Sequence, residues 1–236
     1  MGAVSRRAAL RVAGLVVGAV LLAGCAAQDS SRPSPAAVDG VAVSADPDDF
    51  HGTLVADPAQ PRPALELPTT SGELFDLSGR PSDEVTLVFF GYTHCPDVCP
   101  TTMADLAAAR AMLPPEVRDR VQVAFVTEDP ARDTPELLRS WLDRFDPEFT
   151  GLIGGNEATV RAQQELYLPL AKRVDNPTEK VVHPHDGAKA HTHGDYSIDH
   201  AGIVWAWGPG DRAVLYSGGT TPAQYAEDLT RLASAA

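Results

Sequence analysis

Val85-Thr86-Leu87-Val88-Phe89-Phe90-Gly91-Tyr92, followed by Thr93-His94-Cys95-Pro96-Asp97-Val98-Cys99, is the stretch that decides the fold. Its first eight residues are almost continuously apolar and rich in β-branched and aromatic side chains, as expected of a central strand covered on both faces. From Thr101 to Leu113, the residues Met103, Leu106, Ala107, Arg110 and Leu113 recur at helical spacing, and Pro114-Pro115 stops the run. The two cysteines therefore stand where a strand gives way to a helix. Backbone N–H groups and the helix dipole at such a junction favour a thiolate, so at least one thiol should be acidic and reactive.

Outward from this centre the chain alternates strand and helix. Upstream, Leu65-Glu66-Leu67 and Leu74-Phe75-Asp76-Leu77 flank Thr70-Ser71-Gly72, which reads as a β-hairpin. Downstream, Val121 to Val126 is a second buried strand. Thr134-Pro135-Glu136 then opens a helix with a capping hydroxyl and a Pro in the first turn, carrying Leu137, Leu138, Trp141, Leu142 and Phe145 on one face. A short strand at 149–153, a helix at 156–167, a hairpin of 203–207 with 213–216 and a closing helix at 222–232 complete the order. The expectation is an α/β domain with a thioredoxin-like fold, a mixed central sheet with helices on both faces and an N-terminal β-hairpin.

The flanks set the chain's surroundings. In 236 residues, 44% are hydrophobic and 22% charged, enough for one ordinary core. Lys and Arg number 19 against 32 Asp and Glu, a net charge of -13 that leaves no general basic surface, so no nucleic acid is expected as partner. Arg6, Arg7 and Arg11 precede an apolar run from Val12 to Ala23, too short for a stable bilayer span but suited to a signal-peptide core. The run ends in Leu22-Ala23-Gly24-Cys25, which resembles a bacterial lipobox. Residues 1–24 are read as the signal peptide and Cys25 as the lipidated N-terminus, the alternative being an ordinary signal with an incidental cysteine. Ser5-Arg6-Arg7-Ala8-Ala9-Leu10 also resembles a twin-arginine signal, with Ala9 in place of the usual aromatic, so the export route stays open. Cleavage removes three of the 19 cations and none of the 32 anions, a mature net charge of -16. Anionic headgroups repel such a chain, which leaves the lipid as anchor to the extracytoplasmic face of a bacterial cell membrane. Residues 25–60, rich in Ser, Pro, Ala and Asp, read as a tether, and 61–236 as the folded domain.

With three residues between Cys95 and Cys99 rather than the two of a redox C-x-x-C, both sulfurs can face a common ion. Two core thiols or an inert disulfide is the plain alternative. Two thiolates suit a soft ion such as copper, and a third donor would complete a trigonal or distorted site. The candidate is His200, in Asp195-Tyr196-Ser197-Ile198-Asp199-His200 ahead of the late hairpin, although a lone His is as readily a surface or core residue. No Pro occurs between Asp195 and Trp207, where thioredoxins usually carry a cis-Pro.

Three segments together resemble the signatures of the SCO/SenC family: Phe90-Gly91-Tyr92-Thr93-His94-Cys95-Pro96-Asp97-Val98-Cys99-Pro100, Asp129-Pro130-Ala131-Arg132-Asp133-Thr134-Pro135, and Tyr196-Ser197-Ile198-Asp199-His200. The resemblance runs in order from roughly Phe50 to the C-terminus. It implies a membrane-tethered, thioredoxin-fold copper chaperone that serves the CuA centre of cytochrome c oxidase subunit II or another copper-requiring protein. It also implies one copper per chain on Cys95, Cys99 and His200, with a redox-active Cys95/Cys99 pair. Some such proteins are thiol-disulfide reductases, and that is the alternative function here. A peroxidase is a weaker third, since its reactive Cys is not expected to share so short a loop with another. Asp97 and Asp129 are expected to support the ligands from behind, while Asp133 or Thr134 is read as the cap of the following helix. Glu128 departs from the pattern, where an apolar residue or Ser is usual; it reads as a solvated edge or as a charge that alters the site. The segment His183-Pro184-His185-Asp186-Gly187-Ala188-Lys189-Ala190-His191-Thr192-His193 is either a mobile insertion or an auxiliary copper or zinc capture loop, through His183, His185, His191 and His193. His51 and His94 are read as structural.

Overall fold

Leu87 and Phe89 point to one side of their strand and Val88 and Phe90 to the other, and all four are at most 1% exposed. A strand of this kind must be covered twice. The computed structural model describes residues 42–44, 50–57, 59–154, 156–175 and 196–234. Its main sheet has seven strands: β1 (Ala42–Ser44), β2 (Thr53–Asp57), β5 (Val85–Gly91), β6 (Val121–Thr127), β7 (Thr150–Leu152), β10 (Val204–Trp207) and β11 (Ala213–Tyr216), in the order β1-β2-β11-β10-β5-β6-β7. Parallel pairing of β5 with β6 and β6 with β7 adjoins antiparallel pairing of β10 with both β5 and β11. The sheet is mixed, as expected.

One face packs on α1 (Val98–Met112), α3 (Pro135–Leu142) and α5 (Pro222–Ser234): Leu87, Phe89 and Phe125 lie against Met103, Leu106, Leu138, Trp141, Tyr225 and Leu229. The other face, with Val88, Phe90 and Val126, packs on α4 (Asn156–Glu165) and on the hairpin of β3 (Glu66–Pro68) and β4 (Leu74–Asp76). That hairpin pairs Leu67 with Phe75 and turns at Gly72, whose φ of +87° only glycine adopts freely. The short helix α2 (Pro115–Arg118) follows Pro114.

Four expectations change. The tether does not extend to residue 60, because Thr53–Asp57 is a strand of the main sheet paired with β11 and Phe50 is buried in the core. Helix α1 begins at Val98 rather than Thr101, so Cys99 and Pro100 lie in its first turn, where Pro costs nothing because the N–H it lacks would have no partner within the helix. Leu137 is 40% exposed and leaves the buried face of α3, and Phe145 falls beyond that helix's end. A separate antiparallel pair, β8 (Lys172–Asp175) with β9 (Tyr196–Asp199), leads into His200. Among the described residues no helix is long and apolar enough to cross a membrane.

Candidate metal centre

The β5–α1 loop is pinned before it delivers its cysteines. The buried carboxylate of Asp133 accepts the Thr93 backbone N–H at 3.0 Å, the Thr93 hydroxyl at 2.6 Å and the Thr127 hydroxyl at 2.6 Å, tying the loop to the end of β6. Asp133 is therefore not the cap of α3; Thr134 is, accepting from Leu137 N–H. The Cys95 N–H donates to Tyr92 O at 3.2 Å, and the Cys99 N–H, free in the first turn of α1, points at Cys95 Sγ at 3.4 Å. Gly91 makes room for the second thiol, since a Cβ there would lie 2.8 Å from Cys99 Sγ.

From the far side the β9–β10 loop brings in His200, with Nε2 3.8 Å from Cys95 Sγ and 3.5 Å from Cys99 Sγ. Both cysteines are free and buried. The three donor atoms lie within 4.8 Å of one another, the one such cluster of His, Cys, Asp or Glu among the described residues. Thiolate and imidazole donors at bond lengths of about 2.3 and 2.0 Å, spread at 120°, would sit about 3.7 Å apart. The two observed nitrogen–sulfur separations, 3.8 and 3.5 Å, match that spacing and suit a three-coordinate soft ion. Tyr92 and Phe89 close the site edge-on to the imidazole, at 5.5 and 6.2 Å between ring centroids.

The two sulfurs are not equivalent. Cys95 accepts from the Cys99 thiol first and also from His200 and the backbone N–H groups of Asp97 and Cys99, which against the cost of burial bring its pKa down to about 4. Cys99, fully buried beside that thiolate, is pushed far up and stays a thiol until its proton is displaced. For His200, burial works against the charge, but the Cys95 sulfur and Glu128 outweigh it and the pKa is raised. Burial raises Glu128 to about 7 against the opposing pull of His200 and Gln163.

The supporting residues differ from those expected. Asp97 is exposed and contributes its backbone N–H rather than its carboxylate. Asp129 is buried but holds Arg132 and the Tyr196 hydroxyl, at 2.8 Å for the latter, and Arg132 in turn stacks on Tyr196 and faces Tyr92. The carboxylate that reaches the imidazole is Glu128, 3.3 Å from His200 Nδ1 with its side chain 1% exposed, so the solvated-edge reading of Glu128 fails. His94 is half exposed and bonds Thr93, and His51 pairs with Glu227, both away from the donors. Cys25 and the histidines His183, His185, His191 and His193 lie outside the described residues.

The SCO1/SenC family model matches residues 59–234. The chain belongs to that family. Its thioredoxin-like fold is shared with solved Sco structures: ScoI of Bradyrhizobium japonicum with copper bound is 30% identical, with 73% of this chain and 99% of that one covered at a TM-score of 0.56. The apo Sco1 protein of Thermus thermophilus is 34% identical, with 78% and 94% covered at a TM-score of 0.55. A SCO2-like protein of Rickettsia prowazekii is 32% identical over 141 residues, 60% of this chain and 61% of that protein, so the match spans about three fifths of the relative's length. The cluster of Cys95, Cys99 and His200 is thus the metal-site candidate of a chain whose family includes copper-bound members.

Proposed function

We propose that this chain takes up one copper ion through Cys95 Sγ, Cys99 Sγ and His200 Nε2 and passes it to a copper-requiring protein, the CuA centre of cytochrome c oxidase subunit II being the recipient the family points to. The observation that carries this is the convergence of two soft sulfurs and one imidazole nitrogen at 3.5 and 3.8 Å behind an aromatic screen. Uptake displaces the Cys99 proton, and release follows when a partner's thiolates exchange for these donors one at a time. On the reduced mature chain, Cys95→Ser, Cys99→Ser and His200→Ala should each lose high-affinity copper(I) at one per chain, measured by competition with a chromophoric chelator. Tight 1:1 binding by Cys99→Ser would remove this reading.

A second reading, thiol-disulfide reduction, is favoured by the asymmetry of the thiols. Cys95, 8% exposed and held as thiolate, would attack a partner disulfide and expel one partner thiolate; Cys99, its proton passing to that departing thiolate, would then attack Cys95 Sγ and release the other. Two electrons leave with the partner, and a Cys95–Cys99 disulfide remains. His200→Ala separates the readings, since it should abolish copper binding and spare much of the exchange.

We also read the organisation as a signal peptide at 1–24, a lipid on Cys25 and a tether that ends before Ala42, holding the domain at the extracytoplasmic membrane face. Lipobox-like residues before Cys25 and the acidic mature chain support it. Cys25→Ser should release the chain from carbonate-washed membranes or block its processing, and a variant that stays bound after the wash would overturn this.

A further inference from the structure

Beyond the three donors lies a second line of contacts that no part of the proposed reaction has used. Glu128, one residue past β6, has a side chain that is 1% exposed, where a carboxylate without compensating partners is strongly unfavourable. It is held from two sides. Its backbone N–H donates to Gly91 O at 2.7 Å, and Oε1 accepts from Gln163 Nε2 on α4 at 2.6 Å, with Gln163 itself 2% exposed. Its other oxygen, Oε2, faces His200 Nδ1 at 3.3 Å, and among the described residues neither of these two buried atoms completes a hydrogen bond, while the Ala201 backbone also supports the charged imidazole.

An imidazole can offer Nε2 to a metal only through its lone pair, which in the neutral ring requires the proton on Nδ1. The group that faces Nδ1 is an ionisable carboxylate, able to accept that proton's hydrogen bond and, when ionised, unable to donate one. We propose that Glu128, braced by Gln163, is a positioning residue that holds His200 as the Nδ1–H tautomer and aims Nε2 at Cys95 Sγ and Cys99 Sγ. This rests on the reading that those three side chains take up copper. It adds a specific claim: three elements, the end of β6, α4 and the β9–β10 loop, are coupled through one polar line, a hydrogen bond from Gln163 to Glu128 and a 3.3 Å contact from Glu128 to His200. Its edge-on neighbours Tyr92 and Phe89 pack against the ring but do not choose which nitrogen carries the proton.

The test uses the reduced chain loaded with copper(I), which is diamagnetic and leaves the imidazole visible by NMR. In the wild type, ¹⁵N-histidine labelling should show His200 as an Nδ1–H tautomer with a slowly exchanging, downfield proton. Glu128→Leu should lose that proton resonance to solvent exchange and weaken copper(I) binding about 10–100-fold, the usual cost of removing a carboxylate behind a ligating His. Glu128→Gln, which keeps an oxygen acceptor, should retain the resonance and most of the affinity. A role in packing alone would not reproduce this pattern, because Leu fills the space as well as Gln does. Should Glu128→Leu fail to fold, Gln163→Leu frees the carboxylate without touching the imidazole and should speed exchange of the same proton and weaken binding in the same direction. Wild-type affinity and an unchanged resonance in both Leu variants would overturn the proposal. Copper(I) binding that survives His200→Ala would instead overturn the ligand assignment itself, and Glu128's role with it.

Discussion

The two ends of strands β5 and β6 both bury charge, and they treat it in opposite ways. At the end where both strands begin, Arg110 reaches Val121 O, Asp146 at 2.8 Å and Glu148, while Glu84 takes Arg80 and the Thr86 hydroxyl at 2.8 Å. Cation meets anion there. At the end where both strands finish, one thiol is held as thiolate and its neighbour is kept protonated, and Glu128 Oε2 and His200 Nδ1 face each other at 3.3 Å with no hydrogen bond completed among the described residues. The first arrangement has its partners within the fold, and the second leaves Cys95 Sγ, Cys99 Sγ and His200 Nε2 turned toward one another, where a bound ion would be their common partner. Buried polarity alone marks neither structure nor function; what separates them is whether its partners are already present.

Two variants set this comparison against measurement. Asp133 belongs to the fold by its three hydrogen bonds and to the site by its grip on Thr93, two residues before Cys95. Asp133→Ala strands three donors, two of them hydroxyls that can find other acceptors, and should cost about 3–5 kcal/mol in urea unfolding of the reduced chain while also weakening copper(I) binding. Arg110→Met, at the other end, should cost about 1–3 kcal/mol and leave copper(I) affinity at the wild-type value. An Asp133→Ala chain that binds copper as tightly as wild type would show that the loop needs no such anchor. If Arg110→Met weakened copper binding as much as it weakened the fold, the division between the two ends would collapse.

Much of this was legible in the sequence, and what was not has physical reasons. β5, β6, both hairpins and the donor cysteines follow from apolar runs, turn residues and the position of two thiols at a strand-to-helix junction. His200 is different: spacing leaves it open, and only its place in the Tyr196–His200 segment singles it out by resemblance. β2 reads as tether because Ala56, Asp57 and Pro58 sit among the polar residues of the N-terminal arm, and a strand of five residues there carries too little alternation to stand out. β8 escapes notice because all four of its residues are exposed. The links of Glu128 to His200 and of Asp133 to Thr93 span 72 and 40 residues of chain, so they exist only once β6 lies beside β5 and the β9–β10 loop has returned. An acidic residue after a buried strand looks like a solvated edge until the fold closes over it.

The smallest of the expected effects tests the asymmetry of the two sulfurs directly. Cys95, with its pKa brought down to about 4, should react with iodoacetamide in the metal-free reduced chain at a rate that is flat from pH 8 to about pH 5 and falls through about pH 4. The profile decides, and the absolute rate does not. A thiolate of low pKa is a poorer nucleophile, with a Brønsted coefficient of about 0.4–0.5, so a larger ionised fraction is largely offset by lower reactivity. In urea the same thiol should recover the usual profile, its rate rising through about pH 8.5. The sign follows for stability as well: because the folded pKa lies below the unfolded one, the thiolate stabilises the metal-free chain above the unfolded pKa, and that contribution is lost as pH falls toward about 4. The Cys99 thiol is the largest of the groups that hold the charge on Cys95, ahead of His200. Cys99→Ala should therefore move the inflection upward further than His200→Ala does. A wild-type inflection near that of the unfolded chain would mean that Cys95 is an ordinary thiol, and a larger shift in His200→Ala than in Cys99→Ala would mean that the imidazole, rather than the neighbouring thiol, holds the charge in place.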